Sequence, residues 1–254
     1  MNKYERLAQK LANREKVMGT TMVMLRSTLL LEKMNRDDLD FVLLDAEHGI
    51  FDIHNSIEMF QVCRLMGLPV FMRAQDCHYH LIAKAIDMGA DGIMIPRTES
   101  LEQLRTAVDA LLFSPEGRKG MGGHGQLRSG ESFSDFKKTR FLMPQIESPK
   151  GIELLPKMLE EYGEYISAVM VGPYDLSVMV GTPADIKSDI MIESIQKIFD
   201  ISNSYNKSCG IFCDDEILAQ KYRDMGCNVL WMATDKDFFI RGFNEEMDIV
   251  AKIK

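Results

Sequence analysis

The sequence predicts a single-domain (β/α)8 barrel of the TIM type, an α/β fold. Three observations predict it. The chain has 254 residues, close to the roughly 250 typical of such barrels. Short apolar runs alternate with longer amphipathic stretches along its length. Most of those runs are apolar throughout rather than alternating, as expected of strands buried on both faces in a parallel sheet.

The predicted strands are Val17–Leu25, Phe41–Leu44, Val70–Arg73, Gly92–Pro96, Leu142–Ile146, Ala168–Val171, Gly210–Cys213 and Val229–Met232. Gly, Pro, Asp or Asn bounds many of them. Helical spacing is expected over Ile53–Met66, His78–Met88, Leu101–Leu112, Gly151–Tyr162, Ile190–Tyr205, Asp215–Met225 and Asp237–Ile253. Gly67, Gly89 and Gly226 follow three of these, the usual signal for a helix end. Ser100 is placed to cap the Leu101 helix, and Pro156 is expected to bend or delay its own. One domain spans 1–254, with an N-terminal helix ahead of the first strand. An open doubly wound sheet would carry a glycine-rich phosphate loop after strand 1, and Met18-Gly19-Thr20-Thr21-Met22 is not one. Residues 114–134 break the rhythm with six glycines. A loop this long points to an active-site role.

Composition excludes several classes. Hydrophobic residues make up 46% and charged residues 27%, an ordinary globular balance. The net charge of −8 and the lack of a basic block argue against nucleic-acid binding. No apolar run approaches the roughly 20 residues that span a bilayer, and the start of the chain has no secretory h-region. Five cysteines in irregular spacing read as reduced, mostly buried thiols. A cytoplasmic location is expected.

In this fold the active site forms at the C-terminal ends of the strands. Strand 2 ends in Asp45-Ala46-Glu47-His48-Gly49, strand 3 at Arg73, strand 5 in Gln145-Ile146-Glu147 and strand 6 in Gly172-Pro173-Tyr174-Asp175. Each alone reads equally well as a cap or a structural polar group; their convergence on one rim does not. Glu147 and Asp175 are hard oxygen ligands on neighbouring strands, suited to Mg²⁺ or Mn²⁺ completed by water and substrate. Zinc is less natural without a Cys or His cluster. Arg73 offers a planar fork for a carboxylate or enolate oxygen. His48, three residues from Asp45, is expected to be oriented by it as a general base. These parts suit enolate formation next to a carbonyl. No predicted strand core contains a lysine, and Lys150 lies beyond Glu147, which disfavours a Schiff-base route.

From about Gly19 to Asp235 the chain resembles the HpcH/HpaI aldolase family, the class II, metal-dependent pyruvate aldolases. Five patterns carry the resemblance: Phe41–Gly49 ending in Asp-Ala-Glu-His-Gly; Arg73 followed by Ile86–Pro96; Ser114-Pro115-Glu116-Gly117-Arg118-Lys119-Gly120; Gln145-Ile146-Glu147-Ser148; and Gly172-Pro173-Tyr174-Asp175-Leu176-Ser177. Five in order at strand ends are specific where any one would be weak.

The resemblance implies metal ligands at Glu147 and Asp175 and a catalytic dyad of His48 and Asp45. It also implies Arg73 as the oxo-acid and enolate residue, and Gln145 as a substrate contact. Backbone amides around Gly172, Pro173, Tyr174 and Asp175 would hold the substrate carboxylate. Asp87 matches an acidic residue that either comes from a neighbouring subunit or holds the arginine in place. Mg²⁺ or Mn²⁺, with Co²⁺ as a further option, is the implied cofactor. A 2-oxo acid such as pyruvate and an aldehyde are the implied partners, and a homo-oligomer, a hexamer in relatives with the last helix exchanged, the implied assembly. Three positions depart from the pattern: Thr20-Thr21 replaces an aromatic residue, Lys119 replaces an arginine, and Tyr174 is bulkier than the usual Ala or Ser. The expected activity is cleavage or formation of 4-hydroxy-2-oxo acids. A citryl-CoA- or malyl-CoA-lyase-like enzyme and a silent oxo-acid-binding paralogue are the alternatives.

Overall fold

A computed structural model describes residues 1–253. Its strands are β1 (Val17–Met22), β2 (Phe41–Asp45), β3 (Val70–Arg73), β4 (Gly92–Ile95), β5 (Phe141–Ile146), β6 (Ala168–Val171), β7 (Ser208–Cys213) and β8 (Val229–Thr234). They pair in chain order, all parallel, and β8 returns to β1 to close the barrel. The helices are α1 (Lys3–Ala12), α2 (Thr28–Met34), α3 (Ile57–Leu65), α4 (Tyr79–Met88), α5 (Leu101–Leu111), α6 (Phe133–Phe136), α7 (Pro149–Tyr162), α8 (Pro173–Met179), α9 (Asp189–Ser204), α10 (Glu216–Asp224) and α11 (Asp235–Val250). The fold is the (β/α)8 barrel that the sequence predicts.

Period-two alternation along the strands builds two cores. Val42, Leu44, Met72, Ile93 and Leu142 face outward and pack under the helices. Phe41, Leu43, Phe71, Met94, Phe141 and Met143 face inward. Phe41 stacks on Phe71 with ring centroids 4.9 Å apart, and Phe71 meets Phe141 at 5.3 Å. A side chain at Gly92 would bring its first carbon within 2.8 Å of both Phe71 and Phe141, so the plug depends on glycine there. Leu7 and Leu11 of α1 close the barrel floor, and Asn2 and Glu5 fix the start of α1 as a capping box. The interior is therefore solid at its base, and polar chemistry is confined to the opposite rim.

The structure corrects several expected boundaries. β1 stops at Met22 because the amides of Val23, Met24 and Leu25 leave the ladder and donate to the Asp235 carboxylate, at 2.8, 3.1 and 2.5 Å. α11 starts at Asp235, two residues early, on a Thr234–Asp237 capping box. α3 starts only at Ile57, since residues 52–56 form a turn tied by reciprocal Asp52–Asn55 bonds. α7 runs from Pro149, capped by Ser148, straight through Pro156. α2, α6 and α8 lie outside the expected helices; with 7, 4 and 7 residues they are too short for a clear period. The glycine-rich stretch joins α5 to β5, so it belongs to the N-terminal side of the barrel rather than to the βα loops of the rim. It runs along α4, where the Gly120 amide donates to the Tyr79 hydroxyl at 3.2 Å and the Gly125 amide donates to the Asp87 carbonyl at 2.7 Å. All five cysteines are free and buried. Among the described residues no helix is long and apolar enough to cross a membrane.

Candidate active site

The rim collects most of the expected residues around one cavity of about 430 Å³, whose lining includes Asp45, His48, Arg73, Gln145, Tyr174 and Asp175. Gly172 and Pro173 line it too. Strand register explains the first contact. Asp45 and Arg73 are the last residues of β2 and β3 and are partners in the ladder. Their inward side chains meet as a bidentate pair, Nε–Oδ1 2.8 Å and Nη2–Oδ2 2.6 Å, with both side chains buried. Asp45 Oδ1 also accepts the backbone amides of Glu47 at 3.0 Å and His48 at 3.2 Å. Asp45 therefore holds Arg73 and the turn that carries His48. It makes no hydrogen bond to the His48 ring among the described residues, so the expected side-chain dyad is not formed within the chain. The imidazole is largely exposed, and its nearest carboxylate is Glu47, 3.7 Å from Nε2.

Glu47 is a site residue that the sequence reading quoted without assigning a role. Its Oε2 lies 3.2 Å from Arg73 Nη1, outside hydrogen-bond alignment, and is buried without a hydrogen-bond partner. Its Oε1 lies 3.7 Å from Arg97 Nε. Burial raises the Glu47 carboxyl above its ordinary range, and the nearby Arg73, His48 and Arg97 only partly offset this. Arg97 was also missed. It follows Pro96 in the left-handed region (φ 46°), which turns its amide onto Glu147 Oε1 at 2.7 Å.

Glu147 is buried. Gln145 Nε2 donates to its Oε2 at 2.5 Å, leaving Gln145 Oε1 without a partner. A side chain at Gly172 would place its first carbon 2.0 Å from Glu147 Oε2, so glycine is required where the carboxylate rests against the backbone. Burial pushes the Glu147 carboxyl up to about 8. The Arg97 amide works against that rise, while the negative charges of Asp175 and Glu47 add to it. Burial lowers the Arg73 guanidinium, but Asp45, Glu47 and Glu147 outweigh burial and hold it above its ordinary value.

Asp87 is not at the mouth. On α4 it accepts from Lys119 Nζ and, at 2.7 Å, from Gln126 Nε2 of the glycine-rich stretch. It does not hold Arg73, whose partners are Asp45 and Glu47. No residue of the glycine-rich stretch lines the cavity in this chain. The β7–β8 side of the mouth carries residues that sequence reasoning passed over. Phe212 and Trp231 form an edge-to-face pair at 5.2 Å, and Arg73 lies 5.8 Å from the Trp231 ring centroid. Lys236 also lines the cavity. A search confined to strand cores overlooks it, because it stands in the first turn of α11.

The sequence pattern described as HpcH/HpaI aldolase/citrate lyase matches residues 21–242. The chain belongs to this family. Among similar proteins, a hydroxypyruvate/pyruvate aldolase of Delftia acidovorans is 29% identical over 202 residues, 77% of this chain and 74% of that one. A 5-keto-4-deoxy-D-glucarate aldolase of Salmonella arizonae is 25% identical over 232 residues, 90% of each chain. The solved HpcH/HpaI aldolase of Desulfitobacterium hafniense superposes with a TM-score of 0.88 at 22% identity, covering 97% of this chain and 96% of that one, which shows a shared fold. As a member of the HpcH/HpaI family, this chain is an enzyme of the aldolase/lyase type.

The rim fits a divalent cation of the hard, oxygen-binding kind. Glu47 Oε2 and Gln145 Oε1 are buried polar oxygens with unused lone pairs, and Asp175 repels both Glu47 and Glu147. Among the described residues no group of three or more His, Cys, Asp or Glu side chains is arranged to hold a metal ion by itself. Two carboxylates with water and substrate completing the shell remain the chemistry that fits. A carboxyl raised to about 8 gives this a pH signature. Between roughly 4.5 and 8 the folded protein without cation binds more protons than the unfolded chain, so its stability falls as pH rises through that window. A cation that binds deprotonated Glu147 opposes the fall. Thermal melts should show Mg²⁺ or Mn²⁺ raising Tm more at pH 8 than at pH 5.5. An equal rise at both values excludes Glu147 from the cation site.

Proposed function

We propose that the protein is a divalent-metal-dependent aldolase that cleaves or forms 4-hydroxy-2-oxo acids, with pyruvate or a related 2-oxo acid and an aldehyde as partners. The observation that carries this reading is the excess of carboxylate at the rim: Glu47, Glu147 and Asp175 crowd beside an arginine already held by Asp45. Glu147 and Asp175 are the ligands, with Gln145 positioned against Glu147. Mg²⁺ or Mn²⁺ suits these oxygens best, and Co²⁺ is also admissible. A bound cation supplies Lewis-acid stabilisation for negative charge developing on the 2-oxo oxygen.

The remaining work falls to the chain's own residues. Asp45 takes the Nε and Nη2 N–H groups along one edge of Arg73, so the guanidinium is oriented at the cavity wall before substrate arrives, with N–H groups to spare. It binds the oxo-acid and steadies the enolate oxygen. The amides of Tyr174 and Asp175, at the start of α8, hold the substrate carboxylate, and Gly172 before them lacks the side chain that would displace Glu147. His48, exposed at the mouth, takes the proton of the C4 hydroxyl. The C3–C4 bond then breaks, the aldehyde leaves, and the electron pair enters the C2–C3 enolate. The His48 imidazolium returns the proton to C3, which gives the methyl group of pyruvate.

Asp87 can serve this reaction only from another copy of the chain. α11 supports such an assembly. It exposes Phe239, Ile240, Phe243, Met247 and Val250 on one side of a 16-residue helix, the kind of contiguous apolar surface that marks an association site. We propose that a second copy covers it, within a homo-oligomer. Light scattering should give an oligomer for the native chain and a smaller species for Phe239→Ser/Phe243→Ser. A monomeric native chain removes both the assembly and any role for Asp87.

Pyruvate release from 4-hydroxy-2-oxo acids tests the reaction class. EDTA should abolish it and Mg²⁺ or Mn²⁺ restore it. Full turnover after metal removal, or a borohydride-trapped lysine adduct, at Lys236 above all, would falsify the metal-dependent route. His48→Ala should slow exchange of the pyruvate methyl protons in D₂O by about 10²–10⁴-fold, while Tm stays within a few degrees because the ring is exposed. Wild-type exchange in that variant means another group moves the proton.

A further inference from the structure

We infer that Lys236 is a specificity-determining residue, which binds a carboxylate at the far end of the aldehyde half of the substrate. The inference rests on the aldolase reading above and extends it to the choice of aldehyde.

The argument begins with charge at the cavity wall. Arg73 and Lys236 are the two permanently cationic side chains that line it. Asp45 holds Arg73 through Nε and Nη2, and on the aldolase reading the remaining N–H groups serve the 2-oxo acid end of the substrate. Lys236 Nζ makes no hydrogen bond among the described residues. Its nearest acid is Asp237 Oδ1 at 4.0 Å, and the other oxygen of Asp237 accepts the Thr234 amide at 2.8 Å and hydroxyl at 2.7 Å. The wall therefore offers one cation with no committed partner.

Lys236 is also held in place. Asp235, buried beside it, takes the amides of Val23, Met24 and Leu25 and so bolts the start of α11 to the β1 side of the barrel. The Thr234–Asp237 capping box sets the backbone on either side. The backbone of Lys236 is thus fixed at the helix start, while its side chain, 55% exposed, stays free to reach a ligand in the cavity.

Its depth suits the far end of a substrate. Arg73 closes β3 and Gln145 lies within β5, whereas Lys236 comes two residues beyond the end of β8. The 2-oxo acid end sits low against Arg73 and Gln145, and the aldehyde end reaches up past Trp231 and Thr234 toward Lys236. A single ammonium reads a single carboxylate. A phosphate is usually met by several donors or a backbone nest, and none converges on Lys236. The acids already at the rim repel a distant carboxylate, so without Lys236 such substrates would be disfavoured.

The test compares two cleavable 4-hydroxy-2-oxo acids that differ only at the far end, one a carboxylate and one a primary alcohol. Lys236→Gln should lower the ratio of kcat/KM, charged over uncharged, by about tenfold. Lys236→Arg should keep most of the ratio, and salt should erode it in the wild type. A second readout needs no turnover. Trp231 is the single tryptophan and stands in the cavity wall, so its fluorescence reports occupancy. Titrating the Mg²⁺-loaded enzyme with 2-oxoadipate and with 2-oxohexanoate should show Lys236→Gln weakening the diacid alone. An unchanged ratio together with unchanged 2-oxoadipate binding overturns the role of Lys236. Loss of cleavage of both substrates in Lys236→Arg also overturns it, since the lysine is then needed for more than its charge. Failure of the wild type to release pyruvate from either substrate refutes the aldolase reading instead, and the fluorescence titration still decides whether Lys236 binds the carboxylate.

Discussion

The paired ends of β2 and β3 fix everything that happens at the rim. Parallel register sets Asp45 opposite Arg73, and period-two alternation turns both inward. A slip of one residue would send both into the helical layer and bring Leu44 and Met72 into the mouth. Two buried ions in this arrangement hold each other's charge, and removing either alone typically costs about 3–5 kcal/mol because the other is left uncompensated. The same Asp45 oxygen that grips Arg73 collects the amides of Glu47 and His48. One carboxylate thus aligns the guanidinium, aims the acid of the site and shapes the turn under the imidazole.

The barrel interior is graded to make this possible. From floor to rim, β2 presents Phe41, Leu43 and Asp45, and β5 presents Phe141, Met143 and Gln145. Aromatic rings fill the base so completely that Gly92 must lack a side chain. Water is excluded from below, and the rim carboxylates face low-dielectric packing on one side and solvent on the other. Burial under that packing pushes the Glu147 carboxyl up to about 8.

Much of this was legible in the sequence, and the exceptions have physical causes. Both-face burial made the strands conspicuous, so each expected strand lies on an observed one. The end of β1 was not readable, because the residue that stops it, Asp235, is more than 200 positions away. Short helices such as α8 hold too few residues to show a period, although Pro173 after Gly172 is a start signal in hindsight. The rule that chemistry sits at strand ends pointed to Asp45, Arg73, Gln145 and Asp175, which line the cavity, and to Glu147, which lies against Gln145. The partner of Asp45 was not, since spacing along the chain suggested His48 while register across the sheet delivers Arg73. Lys236 escaped for a related reason: it belongs to a helix start that only the closed barrel brings over the mouth. The glycine-rich stretch does not reach the mouth of its own barrel. Its position between α5 and β5 assigns it to the other side of the barrel, and its glycines at 123 and 125 admit close approach to Asp87 and the backbone beside it.

The site is held in a state that folding alone would not choose. Glu47, Glu147 and Asp175 repel one another, and two buried oxygens go without hydrogen-bond partners. A chain selected for stability would replace such a cluster by apolar packing, which is often neutral or better. Its cost has to be met by the stacked interior and by the Asp45–Arg73 pair, neither of which reacts. On the proposed reading, the imbalance serves a reaction that passes through an enolate. A cation held, on that same reading, by Glu147 and Asp175 would relieve the repulsion, so its binding and the completion of the site would be one event. The rigid Asp45–Arg73 frame then ensures that relief goes into holding the ligands rather than into rearranging the protein.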